Sequence, residues 1–266
     1  MIAMQSNLFR VAVITPYYKE SRAYLQRCIN SVRDQDYSCE ITQILVADGH
    51  AQDWIDSVCA ESQPLRSVRH LRLDITHADY GNTPRALAGL MAVSEGFHAI
   101  CFLDADNWLE PDHISECLHV AQQSPEPIDW IHASRLLCRE DGTRLDSKVE
   151  EIFNSTYADT NCQFLFPGAF HMLTRWILLP KPLAAIADDI IHRCMVEAGL
   201  RSVRTRKPTV NYLCTWIYAF ECMGETPPPY AKPNVDRNAI ADWIAGLNPR
   251  QHLLIERYLN VQLSLY

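Results

Sequence analysis

The sequence predicts an α/β fold with a mostly parallel central sheet flanked by helices and a helical extension at the C-terminus. Two observations carry that expectation. Apolar runs of strand length alternate with segments of helical period from Val11 to Ala121. The runs are also continuous in apolar residues, as in strands covered on both faces, and do not alternate apolar with polar.

The elements follow in order. Residues 11–15 form a first buried strand stopped by Pro16, and residues 16–20 a loop. Leu25, Cys28, Ile29 and Val32 keep the spacing of one helix face. Residues 41–47 give a second strand ending at Asp48-Gly49, residues 54–60 a short helix, and residues 68–73 a third strand. Thr83-Pro84 reads as a helix start, with Thr83 as N-cap and Pro84 first in the helix. The run Ile100-Cys101-Phe102-Leu103 is a central strand that stops at Asp104-Ala105-Asp106. Pro111 opens a helix with Ile114, Cys117, Leu118 and Ala121 on its apolar face, and Asp112 suits the helix start. Right-handed crossovers would bring the strand ends Thr15, Asp48 and Asp104 to one edge of the sheet.

The second half is less regular. Residues 130–137 read as a strand, Glu140 to Thr143 as a turn, and residues 186–198 as a helix stopped by Gly199. Residues 201–210 read as extended, carrying cations suited to a solvated strand face. Pro227-Pro228-Pro229 breaks the chain, and two helices separated by Asn248-Pro249 follow. No repeat or long linker divides the chain, so residues 1–266 are expected to form one unit.

Composition narrows the function classes. The 266 residues are 48% hydrophobic and carry a formal net charge of −8, which disfavours nucleic acid as a partner. Ten scattered cysteines without a C-x-x-C pair argue against a structural zinc site and suit a reducing cytoplasm. Residues 1–10 lack the basic and apolar regions of a secretory leader. No apolar run approaches the roughly 20 residues needed to span a bilayer, so the expected location is cytoplasmic, or peripheral to the inner membrane face.

The chemistry centres on Asp104 and Asp106. Side chains two apart in extended chain share a side, so both carboxylates can converge at a strand's carboxyl end, where open α/β sheets place ligands. Two such charges need donors or a cation; a hard divalent metal carrying phosphate oxygens is one solution and a solvated loop is another.

The residues up to about 125 resemble the inverting GT-A glycosyltransferases of family 2. Thr15-Pro16-Tyr17-Tyr18-Lys19-Glu20 is similar to that family's opening nucleotide-binding loop. Val46-Ala47-Asp48-Gly49-His50 is similar to its Asp-Asp-Gly-Ser turn, and Arg85 to the Arg on the helix before its metal-binding strand. Phe102 through Asp112 is close to its metal-binding signature. The resemblance implies a GT-A (Rossmann-like) fold, a nucleotide-sugar donor (above all a UDP-sugar), a glycan or lipid-linked acceptor, and Mn²⁺ or Mg²⁺. It implies that Thr15, Pro16, Tyr17 and Glu20 line the base and ribose pocket. It further implies that Asp48 meets the pyrimidine, that Arg85 meets base or phosphate, that Asp104 serves the ribose or a metal-bound water, and that Asp106 ligates the metal. It divides the chain into a nucleotide-binding half (about 1–125), an acceptor half (about 126–224) and the helical extension (about 225–266).

Ala47 replaces the first Asp of the family's turn, His50 stands where Ser is common, and Asn107 replaces a frequent third acidic residue. The inverting reaction needs a base for the acceptor hydroxyl. In the family this base is a carboxylate at a helix start, often written Glu-Asp, and the resemblance implies Asp189 for that role, with Asp188 orienting the site or binding acceptor; compensation of the helix dipole is the competing account. No His follows where relatives supply a third metal ligand: Asn211 to Trp216 contains none, leaving His171, His192 or completion by water and diphosphate. Trp176, Trp216, Tyr218 and Tyr230 are sugar-stacking or core residues. Nucleotidyl transfer, which lacks its Gly-rich loop here, and non-catalytic nucleotide-sugar binding are the rival readings.

Overall fold

The computed structural model describes residues 8–61, 63–145 and 159–266; residues 1–7, from the N-terminal stretch read above, lie outside it. Eight strands form one sheet in the order β3-β2-β1-β4-β7-β6-β8-β5. The strands are β1 (Arg10–Tyr17), β2 (Glu40–Asp48), β3 (Arg66–Leu73), β4 (Ala99–Phe102), β5 (Trp108–Leu109), β6 (Trp130–Cys138), β7 (Gln163–Leu165) and β8 (Ser202–Leu213). The described helices are α1 (Arg22–Arg33), α2 (Trp54–Ala60), α3 (Asn82–Ser94), α4 (His113–Gln123), α5 (Leu173–Leu178), α6 (Ala187–Glu197), α7 (Ile217–Cys222), α8 (Arg237–Ala245) and α9 (Pro249–Leu259).

The first half is parallel, as its continuous apolar runs require. β1 pairs parallel with β2 on one side and β4 on the other, and β2 with β3, so Tyr17, Asp48 and Phe102 end at one edge. The second half is mixed. β7 runs antiparallel between β4 and β6, β8 lies parallel to β6, and β5 pairs antiparallel with β8. β5 and β7 span only two and three residues and carry no periodic signal.

Three local expectations are corrected. β1 does not stop at Pro16 but runs on to Tyr17. The carbonyl of Ile14 accepts from Leu103 N at 3.0 Å, so residue 16 faces the same side, where β4 has already ended and a missing N–H costs nothing. Thr83 is not the N-cap of α3, which begins at Asn82. Asp79 Oδ2 instead accepts from Thr83 N at 2.9 Å and from its hydroxyl at 2.6 Å. Asp104 and Asp106 do not lie on extended chain: Asn107 N donates to Asp104 O at 3.0 Å, closing a turn after β4.

Two cores flank the sheet. One packs α3, α5, α6 and the C-terminal helices against one face, with Phe102, Trp130, Trp176 and Leu173 fully buried. The other packs α1 and α4 on the opposite face through Cys28, Val32, Ile114 and Cys117. Trp176 is therefore core. All ten cysteines are free thiols, and burial raises those of Cys28, Cys101 and Cys162. The cations at the start of and within β8 pair with surface acids: Arg201, just before the strand, with Glu126 at 2.5 Å, and Lys207 with Asp112. Among the described residues no helix is long and apolar enough to cross a membrane.

Candidate active site

The strand ends and the turn after β4 gather most of the expected residues. Arg85, buried on α3, donates to Asp104 Oδ1 at 2.6 Å, while Asn161 Nδ2 donates to Oδ2 at 2.8 Å. Both oxygens of Asp104 are thus held by protein donors, each retaining a lone pair for a ligand. The turn is tied down from both sides. Arg27 of α1, stacked 3.8 Å from the Trp108 ring centroid, donates to Asp106 O at 3.0 Å. Asn107 is buried, and its Oδ1 accepts from Leu213 N at 2.8 Å, joining the turn to the end of β8. Asn107 is thus a structural tie in this chain.

The Asp106 carboxylate meets no side-chain donor among the described residues. Burial raises its pKa to about 7, helped by the negative charges of Asp104 and Glu20 and opposed by Lys232. Glu20 bends back so that its Oε2 accepts from Tyr18 N at 2.6 Å. Asp104 and Glu20 thus lie near enough to Asp106 to oppose its ionisation, and among the described residues no side-chain donor offsets them. Such an arrangement favours a cation. Among the described residues no group of three His, Cys, Asp or Glu side chains forms a complete metal cage, so a bound cation would draw remaining ligands from water or substrate phosphate.

At the ends of β1 and β2 several of the expected residues are engaged with other protein groups. Thr15 is fully buried, and its hydroxyl accepts from Gln43 Nε2 at 2.9 Å, so it ties β1 to β2. Pro16 is buried against Gly81, whose φ of +78° begins the approach to α3; a Cβ there would come within 3.0 Å of Pro16 Cγ. Tyr17 is buried too, its hydroxyl bonded to His70 Nε2 at 2.8 Å and accepting from Gln52 N at 3.0 Å. The exposed ring of the loop is Tyr18, packed edge-on against His50 at 4.5 Å with Lys19 over its face. Asp48 remains at the edge but is not free. Its Oδ1 lies 2.7 Å from His77 Nδ1 and 3.0 Å from His77 N, so the two side chains form one group. The loop between β3 and α3 places Ala78, Tyr80 and Gly81 at positive φ, and Tyr80 is 75% exposed there. Left-handed backbone at a non-glycine costs energy, and such residues concentrate at ligand sites.

The start of α6 carries the expected acidic pair and separates its members. Asp188 has Asp159 and Arg135 as charged neighbours, and burial together with Asp159 raises its pKa to about 7. Its Oδ1 accepts from Asp189 N at 2.9 Å. Asp189 turns along the helix toward Arg193, 3.5 Å away, and its charge is felt by His192 and Tyr266. The buried ion pair Arg135–Asp159, at 2.6 Å, was not anticipated. Nor was Asn161, which bridges Asp159 to Asp104. Their signal in the sequence is faint, since Asp159-Thr160-Asn161 reads as an ordinary turn. His192 packs with Trp130 and His132, and His171 is exposed on a 3-10 turn; neither is grouped with the carboxylates. Trp216 and Tyr212 lie against the Arg135 guanidinium, at 5.3 and 4.9 Å. Tyr218 is 46% exposed on α7, and Tyr230 packs on Phe220.

This architecture is that of the GT-A glycosyltransferases. S. aureus TarS residues 1–349 in complex with UDP superpose with a TM-score of 0.59 at 15% identity, covering 95% of this chain and 71% of that one. The Pyrobaculum calidifontis mannosyltransferase PcManGT in complex with GDP-Man and Mn²⁺ gives 0.51 at 14% identity, over 88% and 59%. At these identities the likeness concerns the fold alone. The family itself follows from the sequence: the model of glycosyl transferase family 2 matches residues 12–175, more than half of the chain, and the chain belongs to that family. The putative glycosyltransferase EpsH of Bacillus subtilis (strain 168) is 24% identical over 164 residues, which are 59% of this chain and 43% of EpsH. The match therefore spans less than half of that relative's length.

Proposed function

We propose that this chain catalyses single-displacement, inverting transfer of a sugar from a nucleoside-diphosphate donor, a UDP-sugar, to the hydroxyl of a glycan or lipid-linked acceptor. The observation that carries the reading is the Asp104 carboxylate held by Arg85 and Asn161 beside that of Asp106, and linked through Asp159 and Arg135 to Asp188 at a helix start. UDP, UDP-GlcNAc and GDP-Man in structural relatives support the donor class.

In this reading Asp48 and His77 face the base, Tyr18 and Tyr80 offer exposed rings at the mouth, and Arg85 holds Asp104 for the ribose. Thr15, Pro16 and Tyr17 shape the pocket from behind. A divalent cation, Mn²⁺ or Mg²⁺, fits the residues present: Asp106 would hold it, with Asp104 beside it, and when bound it would neutralise charge on the diphosphate. Asp188 accepts the acceptor's hydroxyl proton on a carboxylate oxygen. The acceptor oxygen then forms its bond to the anomeric carbon as the bond to the diphosphate oxygen breaks, its electron pair leaving with the nucleotide.

We assign the base to Asp188 rather than Asp189 because Asp188 faces the charged network behind Asp104, whereas Asp189 is paired along the helix. Asp188→Asn should lower kcat by about 10² to 10⁴ with UDP affinity unchanged, and Asp189→Asn should retain most activity. The reverse pattern, measured by sugar transfer and calorimetry, would move the role to Asp189. The halves at about 1–125 and 126–224 then divide donor from acceptor work, with 225–266 as a buttress, and a cytoplasmic or inner-face location suits the donor.

A further inference from the structure

We propose that Asn161 is a positioning residue of the donor site: its carboxamide holds Asp104, and the Asp159–Arg135 pair behind it fixes the carboxamide's orientation. The inference rests on the donor-site reading above and concerns residues that do not touch substrate.

Asn161 is 1% exposed and meets Asp104 twice. Its Oδ1 accepts from Asp104 N at 2.5 Å, and its Nδ2 donates to Asp104 Oδ2 at 2.8 Å. The same Nδ2 donates to Asp159 Oδ1 at 2.7 Å, and that oxygen also accepts from Asn161 N at 2.9 Å. Only one orientation of the amide works. Flipped, its oxygen would sit between two carboxylates and its NH₂ against a backbone N–H. Asp159 Oδ2 accepts in turn from Arg135 at 2.6 Å, and both residues are buried. The bridge is thus a chain from Arg135, beside Asp188, through Asp159 and Asn161 to Asp104.

Stability is a weak account of these groups. Apolar residues of similar volume commonly replace a buried ion pair without loss, so its use here lies in fixing geometry. Asp104 is gripped from two directions, by Arg85 from α3 and by Asn161 from the turn before β7, which leaves its carboxylate one setting. Residues that orient a ligand-binding carboxylate in this way typically carry a 10- to 100-fold effect when removed, roughly as for partners of metal ligands.

The test uses the full chain with Asn161→Ala, the near-isosteric Asn161→Asp and Asp159→Asn. It reads the UDP dissociation constant by calorimetry, KM and kcat in a UDP-sugar assay, and the thermal midpoint. Asn161→Ala should raise the UDP dissociation constant and the donor KM by about tenfold or more, with kcat much less affected. Asn161→Asp should be worse, because a third carboxylate enters between two others. Asp159→Asn, which keeps the shape and loosens the lock, should raise KM several-fold and stands in where an Asn161 variant fails to fold. Folded variants that bind UDP like the wild type would overturn the inference and leave the proposed function standing. A wild type that binds no nucleoside diphosphate, in a panel including UDP and GDP with Mn²⁺, would end both.

Discussion

Asp188 and Asp189 are adjacent in sequence and are the same residue type, yet their surroundings differ. Burial and the Asp159 carboxylate oppose ionisation of Asp188 and push its pKa up to about 7. The base proposed here works deprotonated, so if Asp188 fills that role kcat/KM should rise with pH through an apparent value near 7. Asp159→Asn removes a negative neighbour and should move that midpoint down, which a pH–rate profile reads directly. The same shift has a stability consequence. A carboxylate whose folded pKa lies above its unfolded value of about 3.9 contributes stability that is full below the unfolded value and is lost as pH rises through the folded one. The thermal midpoint of the wild type should therefore fall between pH 5 and 8 by more than that of Asp188→Asn, as scanning calorimetry can check. Residue type alone could nominate both aspartates. It could not separate them, because a pKa is set by neighbours distant in sequence.

At the scale of elements, the parallel strands β1, β2 and β4 were legible because buried strands must be apolar on both faces, as Val11 to Ile14 and Ile41 to Ala47 are apart from Thr42 and Gln43. The turn after β4 was legible as a site but not as a shape: Asp104 and Asp106 share a region because a turn folds Asp106 back. The loops also hold positions that admit no side chain. Gly49 has φ +78°, and a Cβ there would meet Thr76 N at 2.7 Å, a backbone atom that cannot swing away. Gly49→Ala should destabilise the protein by about 1–3 kcal/mol in chemical denaturation and raise the donor KM, since Thr76 and His77 together hold Asp48. The start of α3 shows the limit of local rules. Thr83 carries the residue type of an N-cap, but Asp79 reaches it across a left-handed turn that only Gly81 and its neighbours allow.

For the whole molecule, the C-terminal helices behave as a buttress for α6. Leu259 is fully buried in the larger core, and its carbonyl accepts from Cys194 Sγ of α6 at 2.8 Å. Leu259→Ala should cost about 2–5 kcal/mol, seen as a lower thermal midpoint, while the UDP dissociation constant stays unchanged, because the donor edge is built by other strands. The sequence by itself determined the parallel first half, its carboxylates at the strand ends and the acidic start of α6, since each follows from a local pattern of apolar period and charge. Tertiary structure alone decided that β7 inserts antiparallel between β4 and β6. That insertion carries Asp159 and Asn161 against Asp104. Separate long-range contacts bury Thr15 against Gln43 and Tyr17 against His70, and pair Asp48 with His77. The reason is physical: a hydrogen bond between residues 57 apart, such as Asn161 to Asp104, leaves no periodicity in the chain that makes it.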